Sequence, residues 1–238
     1  MKRTVTLAYG GTAKWIFRFI NPVKKRIIKT SCVMHKAINN NSIETIRNCG
    51  FKKEYDFFKR NISYINEGVV WADQDFKSIN HFFHYEKERG LFGFSNAYDE
   101  FLTYYKKSKE YIERGNVEKA LFYLGASCHL LQDSTVPHHV QNKLLKKHRS
   151  FELWIIDRYS INGYIYPVNE IEMHDSLKEF ITSNVKFAYE TYDYSSKYEE
   201  INKKYLYVSE RIINKAQKST AGLMIKYFNE IAKELKEK

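Results

Sequence analysis

The sequence of 238 residues has few of the residues on which turn-rich or disulfide-stabilised folds depend. It contains only 10 glycines and 3 prolines, against 19 tyrosines and 16 phenylalanines, and so few helix breakers argue against a sandwich or barrel of short strands. Three cysteines, Cys32, Cys49 and Cys128, are too few for a disulfide framework and leave one unpaired in any pairing. The fold therefore depends on a hydrophobic core, with a metal ion as the remaining candidate stabiliser.

Long apolar runs are absent as well. No segment approaches the roughly 18 apolar residues that a membrane-spanning helix needs, which argues against an integral membrane protein. Met1-Lys2-Arg3 resembles the start of a secretory signal, but Gly10 and Gly11 interrupt the apolar stretch that should follow. Residues 1–30 are interpreted as a leader or as a segment on a membrane surface, and a packed first helix stays an open alternative.

The charge is strongly of one sign. Lysine and arginine total 39 and aspartate and glutamate total 28, a formal net charge of +11. A basic surface attracts polyanions such as nucleic acid or anionic lipid, although solvated lysines alone give the same composition. The charge therefore does not choose between these partners.

Helical periodicity dominates the chain and predicts a single all-α domain with many helices. Asn116 is the expected N-cap of the clearest helix, Gly115 the expected end of the helix before it, and Pro137 a stop signal. Residues 68–95 are predicted to form a long irregular connection. We predict helices from Ser42 onward and over residues 96–114, 117–134, 143–159, 175–195 and 200–236.

Histidines and carboxylates recur at helical spacing. His129 and Asp133 lie four residues apart on the clearest helix, and His148 and Glu152 repeat this spacing on the next one. His139 follows the proline between them. One such pair is typically a surface ion pair, but two pairs with a third histidine at the intervening turn favour a zinc site.

The segment around His129 also resembles a known signature. It reads Phe122-Tyr123-Leu124-Gly125, then His129-x-x-x-Asp133-x-x-x-Pro137-x-His139-Val140-x-Asn142. This pattern resembles bacterial zinc-dependent phospholipase C, a family that includes the catalytic domain of clostridial alpha-toxin and the Bacillus phosphatidylcholine-preferring enzyme. Similar segments across most of the chain are Cys32-Val33-Met34-His35, Trp71-Ala72-Asp73-Gln74-Asp75, Asn80-His81-Phe82-Phe83, His148-x-x-x-Glu152 and Ala216-Gln217-x-x-Thr220-Ala221-Gly222.

The resemblance implies two to three zinc ions in a cleft between helices. It assigns His81, His129 and Asp133 to the first ion, His139, His148 and Glu152 to the second, and His35 with bridging Asp133 to the third. In the family a processed N-terminal tryptophan completes the third site; here Trp15 would take that place only after cleavage behind Lys14. Asp73 would orient or deprotonate the attacking water.

Some positions depart from the family pattern. Gln132 stands where the family has Gly or Thr, Leu130 where it has Tyr, and Ser134 where it has an aliphatic residue. None of the three is a ligand, so the implied metal site stands. Gln74 and Ser78 occupy positions where members that select choline carry aromatic residues, so the headgroup is not predicted.

The implied activity is that of a zinc metallo-phosphodiesterase of the phospholipase C type, which releases diacylglycerol and a phosphorylated headgroup at a phospholipid membrane surface. The domain is expected to extend over residues 1–238 without the β lipid-binding domain of the toxins, and no obligate protein partner is implied. Family members are usually secreted, whereas the N-terminus shows no convincing signal, so the localisation is left unassigned.

Two other functions stay open. A single-strand-specific zinc nuclease of the related fold would suit the net charge of +11, although its second pair is typically His-x-x-x-Asp rather than His148 and Glu152. A catalytically impaired zinc-binding relative would explain an incomplete third site. The effect of replacing Asp73 would distinguish an impaired relative from a phospholipase, and cleavage of single-stranded DNA instead of phospholipid would indicate a nuclease.

Overall fold

The computed structural model describes residues 32–74, 97–140, 146–162 and 165–234. These ranges contain nine α-helices, one short 3-10 helix and no strand, so the predicted all-α class is confirmed. The helices are α1 (32–48), α2 (Lys52–Arg60), α3 (Ile62–Ala72), α4 (Ala97–Glu113), α5 (Val117–Asp133), α6 (Pro137–Val140), α7 (Lys146–Asn162), α8 (Leu177–Tyr194) and α9 (Ile201–Glu234), with the 3-10 turn at Ser195–Lys197. No described helix is long and apolar enough to cross a bilayer.

The ends of α4 and α5 follow the signals in the sequence. Gly115 adopts a φ of +73°, a left-handed conformation that glycine reaches without strain, and it separates the two helices. The side chain of Asn116 accepts a hydrogen bond from the backbone N–H of Lys119 at 3.0 Å and so caps the first turn of α5. Both predicted helices are confirmed.

Two expectations for the helix boundaries are wrong. Ser42 does not begin a helix, because α1 already runs from residue 32 and the Ser42 hydroxyl donates to the carbonyl of Ile38 within it. Residues 68–72 are the last part of α3 rather than irregular. Pro137, by contrast, follows the end of α5 as a stop signal should, and it also begins the short α6, because the first residue of a helix needs no backbone N–H.

Helix α5 is the centre of the main core. Every residue from Leu124 to Asp133 is buried, because α3 and α4 pack along α5 and α8 and α9 cover its remaining sides. A second, smaller cluster joins Ile38 of α1, Phe151 and Ile155 of α7, and apolar residues of α9. The polar residues near the end of α5 lie where these two cores meet.

Candidate metal centre

Three helices bring imidazoles to one carboxylate. Asp133 is the last residue of α5, His129 lies one turn before it, His35 projects from α1, and His139 follows on α6. Ligand atoms of His35, His129 and Asp133 all lie within 4.8 Å of one another. All four side chains are largely shielded from solvent, with exposures between 1% and 13%.

The two oxygens of Asp133 face different histidines. Its Oδ1 lies 3.4 Å from Nε2 of His35. Its Oδ2 lies 3.3 Å from Nε2 of His129 and 3.4 Å from Nδ1 of His139. A carboxylate arranged in this way can contribute one oxygen to each of two neighbouring ions.

The donor set fits zinc in both chemistry and spacing. Imidazole nitrogen and carboxylate oxygen are ordinary zinc ligands, and metal–ligand bonds of about 2.0–2.1 Å in a tetrahedron place ligand atoms about 3.3 Å apart. The observed separations of 3.3–3.4 Å around Asp133 match that value. They are longer than the roughly 2.9 Å of a common N–H···O hydrogen bond.

The protonation states also favour metal binding. The pKa of His35 is lowered because burial disfavours the imidazolium and because the ring of His129 lies beside it, with ring centroids 4.3 Å apart. Burial alone would raise the pKa of Asp133, but His129 and His139 outweigh that effect and hold it well below its usual range. Neutral His35 beside ionised Asp133 is the state that binds a cation.

Asp73, the implied catalytic carboxylate, lies at the C-terminal end of α3 and is half-buried. The thiol of Cys32 donates to its Oδ2 at 3.4 Å, and its charge acts on His35. Asp73 is therefore close to His35, the candidate metal ligand on α1. The resemblance placed these segments at one site, and the structure brings them together.

The remaining predicted ligands have different outcomes. Glu152 of α7 lines the same cavity as His35 and Asp133. Trp15, His81 and the side chain of His148 lie outside the described residues. The assignment of ligands to separate ions, which the resemblance implies, thus stays a prediction for all the ligands.

An apolar cavity of about 70 Å³ opens beside the cluster. His35, Asp133 and Glu152 line its polar side. Its other walls come from α1, α7 and α9 and include Ile38, Phe151, Ile155, Ile212 and Ile213. An anionic group at the carboxylate–imidazole cluster would thus have apolar surface next to it.

Sequence reasoning missed one contact of the site. Nδ1 of His35 lies 2.8 Å from Oε1 of Gln132, a residue noted only as a departure from the family motif. Gln132 is buried between α1 and α9, where it also contacts Asn39 and Thr220. Its place directly before Asp133 was the only available signal, since the contact depends on how α1 packs on α5.

Comparison with known proteins identifies the family. A family model for zinc dependent phospholipase C matches residues 34–230. The chain belongs to the zinc-dependent phospholipase C family. The match includes both the four-residue cluster and Asp73.

Individual relatives in this family are distant. A phospholipase C of Clostridium novyi is 28% identical over 138 residues, which cover 52% of this chain and 35% of that protein. The alpha toxin from Clostridium absonum superimposes with a TM-score of 0.70 at 18% identity, over 84% of this chain and 64% of the toxin. The alpha-toxin of a Clostridium perfringens avian strain gives 0.66 at 19%, over 87% and 64%. The chain spans less than two thirds of each, and the toxin structures share its fold.

Proposed function

We propose that this protein is a zinc-dependent phospholipase C that hydrolyses the glycerol-side phosphodiester of phospholipids and holds two to three zinc ions per chain. The observation that supports this most strongly is the cluster around Asp133, where three imidazoles meet one buried carboxylate at the spacing of zinc ligands. Family membership supports the reaction type.

Each residue of the cluster has a defined task in this proposal. Bound zinc would supply Lewis acidity toward the phosphoryl oxygens and acidify a coordinated water. His35, His129 and His139 would hold zinc through ring nitrogens, and Asp133 would hold it through its carboxylate. Burial of the cluster excludes bulk water, so these groups act in a medium of low polarity.

Asp73 is proposed as the proton acceptor. It would take a proton from the attacking water as the new bond to phosphorus forms and the bond to the glycerol oxygen breaks. Asp73 would then give this proton, directly or through water, to the released alkoxide, which yields diacylglycerol and a phosphorylated headgroup. General-base catalysis of this kind typically contributes about 10²–10⁴-fold to the rate.

The substrate is tested with vesicles and with single-stranded DNA. Zinc-loaded protein is incubated with phosphatidylcholine, phosphatidylethanolamine or phosphatidylglycerol vesicles, and diacylglycerol is measured by mass spectrometry. We expect diacylglycerol and no nucleotides. Release of nucleotides with phospholipid intact would instead assign the nuclease function, which the net charge of +11 favours. Zinc binding without either reaction would assign a non-catalytic relative.

Asp73→Asn tests the catalytic assignment. We expect at least a hundredfold loss of diacylglycerol release with zinc per chain unchanged, because the amide keeps the shape and cannot accept the proton. Asp56→Asn, at an exposed position of α2, is the matched control and should behave as wild type. Unchanged hydrolysis by Asp73→Asn would remove the proposed role.

A further inference from the structure

A series of three side-chain amides, two of them buried, leads from α3 to the imidazole of His35. Nδ2 of Asn39 donates to Oδ1 of Asn66 at 3.1 Å. Nε2 of Gln132 donates in turn to Oδ1 of Asn39 at 2.8 Å. Oε1 of Gln132 then lies 2.8 Å from Nδ1 of His35. The series crosses three helices, α3, α1 and α5, and ends at one ring nitrogen.

The direction of these bonds fixes the tautomer of His35. An amide oxygen can only accept, so Nδ1 of His35 must carry the proton and donate it to Gln132. Nε2 of a neutral ring is then unprotonated, and it is this atom that faces Oδ1 of Asp133 at 3.4 Å. Reversal of the Gln132 amide would place its oxygen against the oxygen of Asn39, unless Asn39 and Asn66 reversed with it.

Burial makes the arrangement costly to disturb. Gln132 is 1% exposed and Asn39 is 0% exposed, so a rotated amide would leave a donor or acceptor without water. Nε2 of Gln132 also donates a hydrogen bond to the hydroxyl of Thr220, 3.3 Å away on α9. Gln132 is thereby held from two further helices while its oxygen faces His35.

We propose that Gln132 is a positioning residue that presents Nε2 of His35 to zinc, and that Asn39 and Asn66 hold Gln132 in the required orientation. The inference rests on the zinc site proposed above, since it assigns the ring a ligand role. Partners of this kind commonly change metal affinity by about 10–100-fold when they are removed. Gln132 is a position at which this chain departs from the motif that it otherwise resembles.

Variants at Gln132 separate positioning from simple packing. Gln132→Met keeps the length of the side chain and removes its hydrogen bonds, whereas Gln132→Glu keeps an oxygen that accepts from Nδ1. Asn184→Leu is the structural control, because Asn184 is a fully buried amide that contacts Leu131 and Ser219 and has no bond to His35. Each variant is examined by urea unfolding, zinc competition with a chromogenic chelator, and NMR of ¹⁵N-labelled imidazole.

The expected results differ among these variants. Gln132→Met should bind zinc about 10–100-fold more weakly and lose the hydrogen-bonded Nδ1–H signal of His35, which is assigned with His35→Gln. Gln132→Glu should retain that signal, and Asn184→Leu should lose stability while its zinc affinity stays within about threefold of wild type.

Three results would overturn the proposal. One is zinc binding by Gln132→Met within twofold of wild type, and another is equal weakening of zinc binding by Asn184→Leu. A third is wild-type protein without zinc whose His35 carries its proton on Nε2. Wild-type protein that binds no zinc would overturn the proposed function, and the tautomer in that protein would then report on the amide series alone.

Discussion

Gly68 of α3 and Gly125 of α5 lie at a crossing where each helix has room for only a hydrogen atom. A Cβ on Gly68 would lie 1.8 Å from the carbonyl oxygen of Phe122, and a Cβ on Gly125 would lie 2.0 Å from that of Ile65. Both obstacles are backbone atoms, which cannot rotate away as a side chain can. The crossing sets the distance between the helix that carries Asp133 and the helix that ends at Asp73.

Gly125→Ala is therefore expected to separate α3 from α5. The added methyl group must displace a helix backbone, and overpacking of this kind costs about 3 kcal/mol of unfolding free energy. Because His129 follows Gly125 by one turn, its position relative to α1 should change as well. Urea unfolding measures the stability, and elemental analysis of protein purified without chelator measures zinc per chain, which should fall.

Gly50→Ala is the control for the loss of glycine itself. Gly50 has a φ of +88° and no atom within 4 Å of a built Cβ, so alanine there meets only the backbone strain of about 1–2 kcal/mol. Zinc content should be unaffected, since Gly50 lies at the turn before α2. If Gly125→Ala unfolds no more easily than Gly50→Ala and keeps its zinc, the crossing does not determine the site.

Capping residues and hydrophobic spacing in the sequence predicted that the helices exist more accurately than they predicted where each helix begins. Asn116 and Gly115 mark boundaries through their own backbone conformations, so the sequence was enough there. Ser42 has the same chemistry as an N-cap, yet it lies inside α1 and its hydroxyl also donates to the carbonyl of Gln217 on α9. Burial between two helices outweighs its capping preference, and only the assembled fold shows this.

Some residues of the site were predictable from the sequence pattern, and others were not. His129 and Asp133 were predictable from a spacing of four residues on one helix. His35 is far from them in sequence, so only the family resemblance connected it with Asp133. The role of Gln132 required the packing of α1 on α5, which no periodicity encodes. Gly68 was predicted to lie in an irregular connection, whereas in the structure its lack of a side chain allows α3 and α5 to cross closely.

Asp133 is expected to couple zinc to stability. A ligand that binds only folded protein adds about 2.7 kcal/mol when its free concentration is a hundredfold above the dissociation constant. For a domain of this size, each kcal/mol raises the melting temperature by roughly 2–4 °C. Chelator should therefore lower the melting temperature of wild-type protein. In Asp133→Asn the melting temperature should be the same with and without chelator, because an amide cannot act as a charged bridging ligand.

His174→Asn provides the comparison for a histidine–carboxylate pair outside the site. Nε2 of His174 lies 2.7 Å from Oε1 of Glu172, far along the chain from Asp133 and without a contact to it among the described interactions. This variant should keep both its zinc and its sensitivity to chelator. An unchanged response of Asp133→Asn to chelator, measured by scanning calorimetry, would contradict the bridging role.

Glu172 is expected to make the unfolding free energy depend on pH in the acidic range. Burial favours its neutral form, but hydrogen bonds from Lys215 at 2.5 Å and from Ser183 at 2.7 Å lower its pKa below the ordinary 4.5. A lowered pKa in the folded state means that the stabilisation is complete above about pH 4.5 and is lost as the pH falls through the folded value.

Glu172→Gln should accordingly lower the unfolding free energy at pH 7 by about 1–2 kcal/mol, between the values for exposed and for buried pairs. The difference from wild type should shrink as the pH is lowered below 4.5, when measured by urea unfolding. Glu170→Gln is the control, because Glu170 pairs with Lys218 at the surface and should show no measurable effect. A difference that stays constant down to pH 3 would exclude the linkage.

The three cysteines should differ in reactivity. Burial, and then the nearby Asp73 carboxylate, raises the pKa of Cys32 to about 12, and burial raises the pKa of Cys128 to about 12. At pH 8 only about one in ten thousand of these thiols would be thiolate, the form that reacts.

Cys49, in contrast, is partly exposed. Iodoacetamide should therefore modify native protein once, at Cys49, and denatured protein three times, as counted by intact mass and located by peptide mapping. Modification of Cys32 in native protein as fast as Cys49 would mean that its contact with Asp73 opens to solvent, and the carboxylate would then not be held beside His35 of α1.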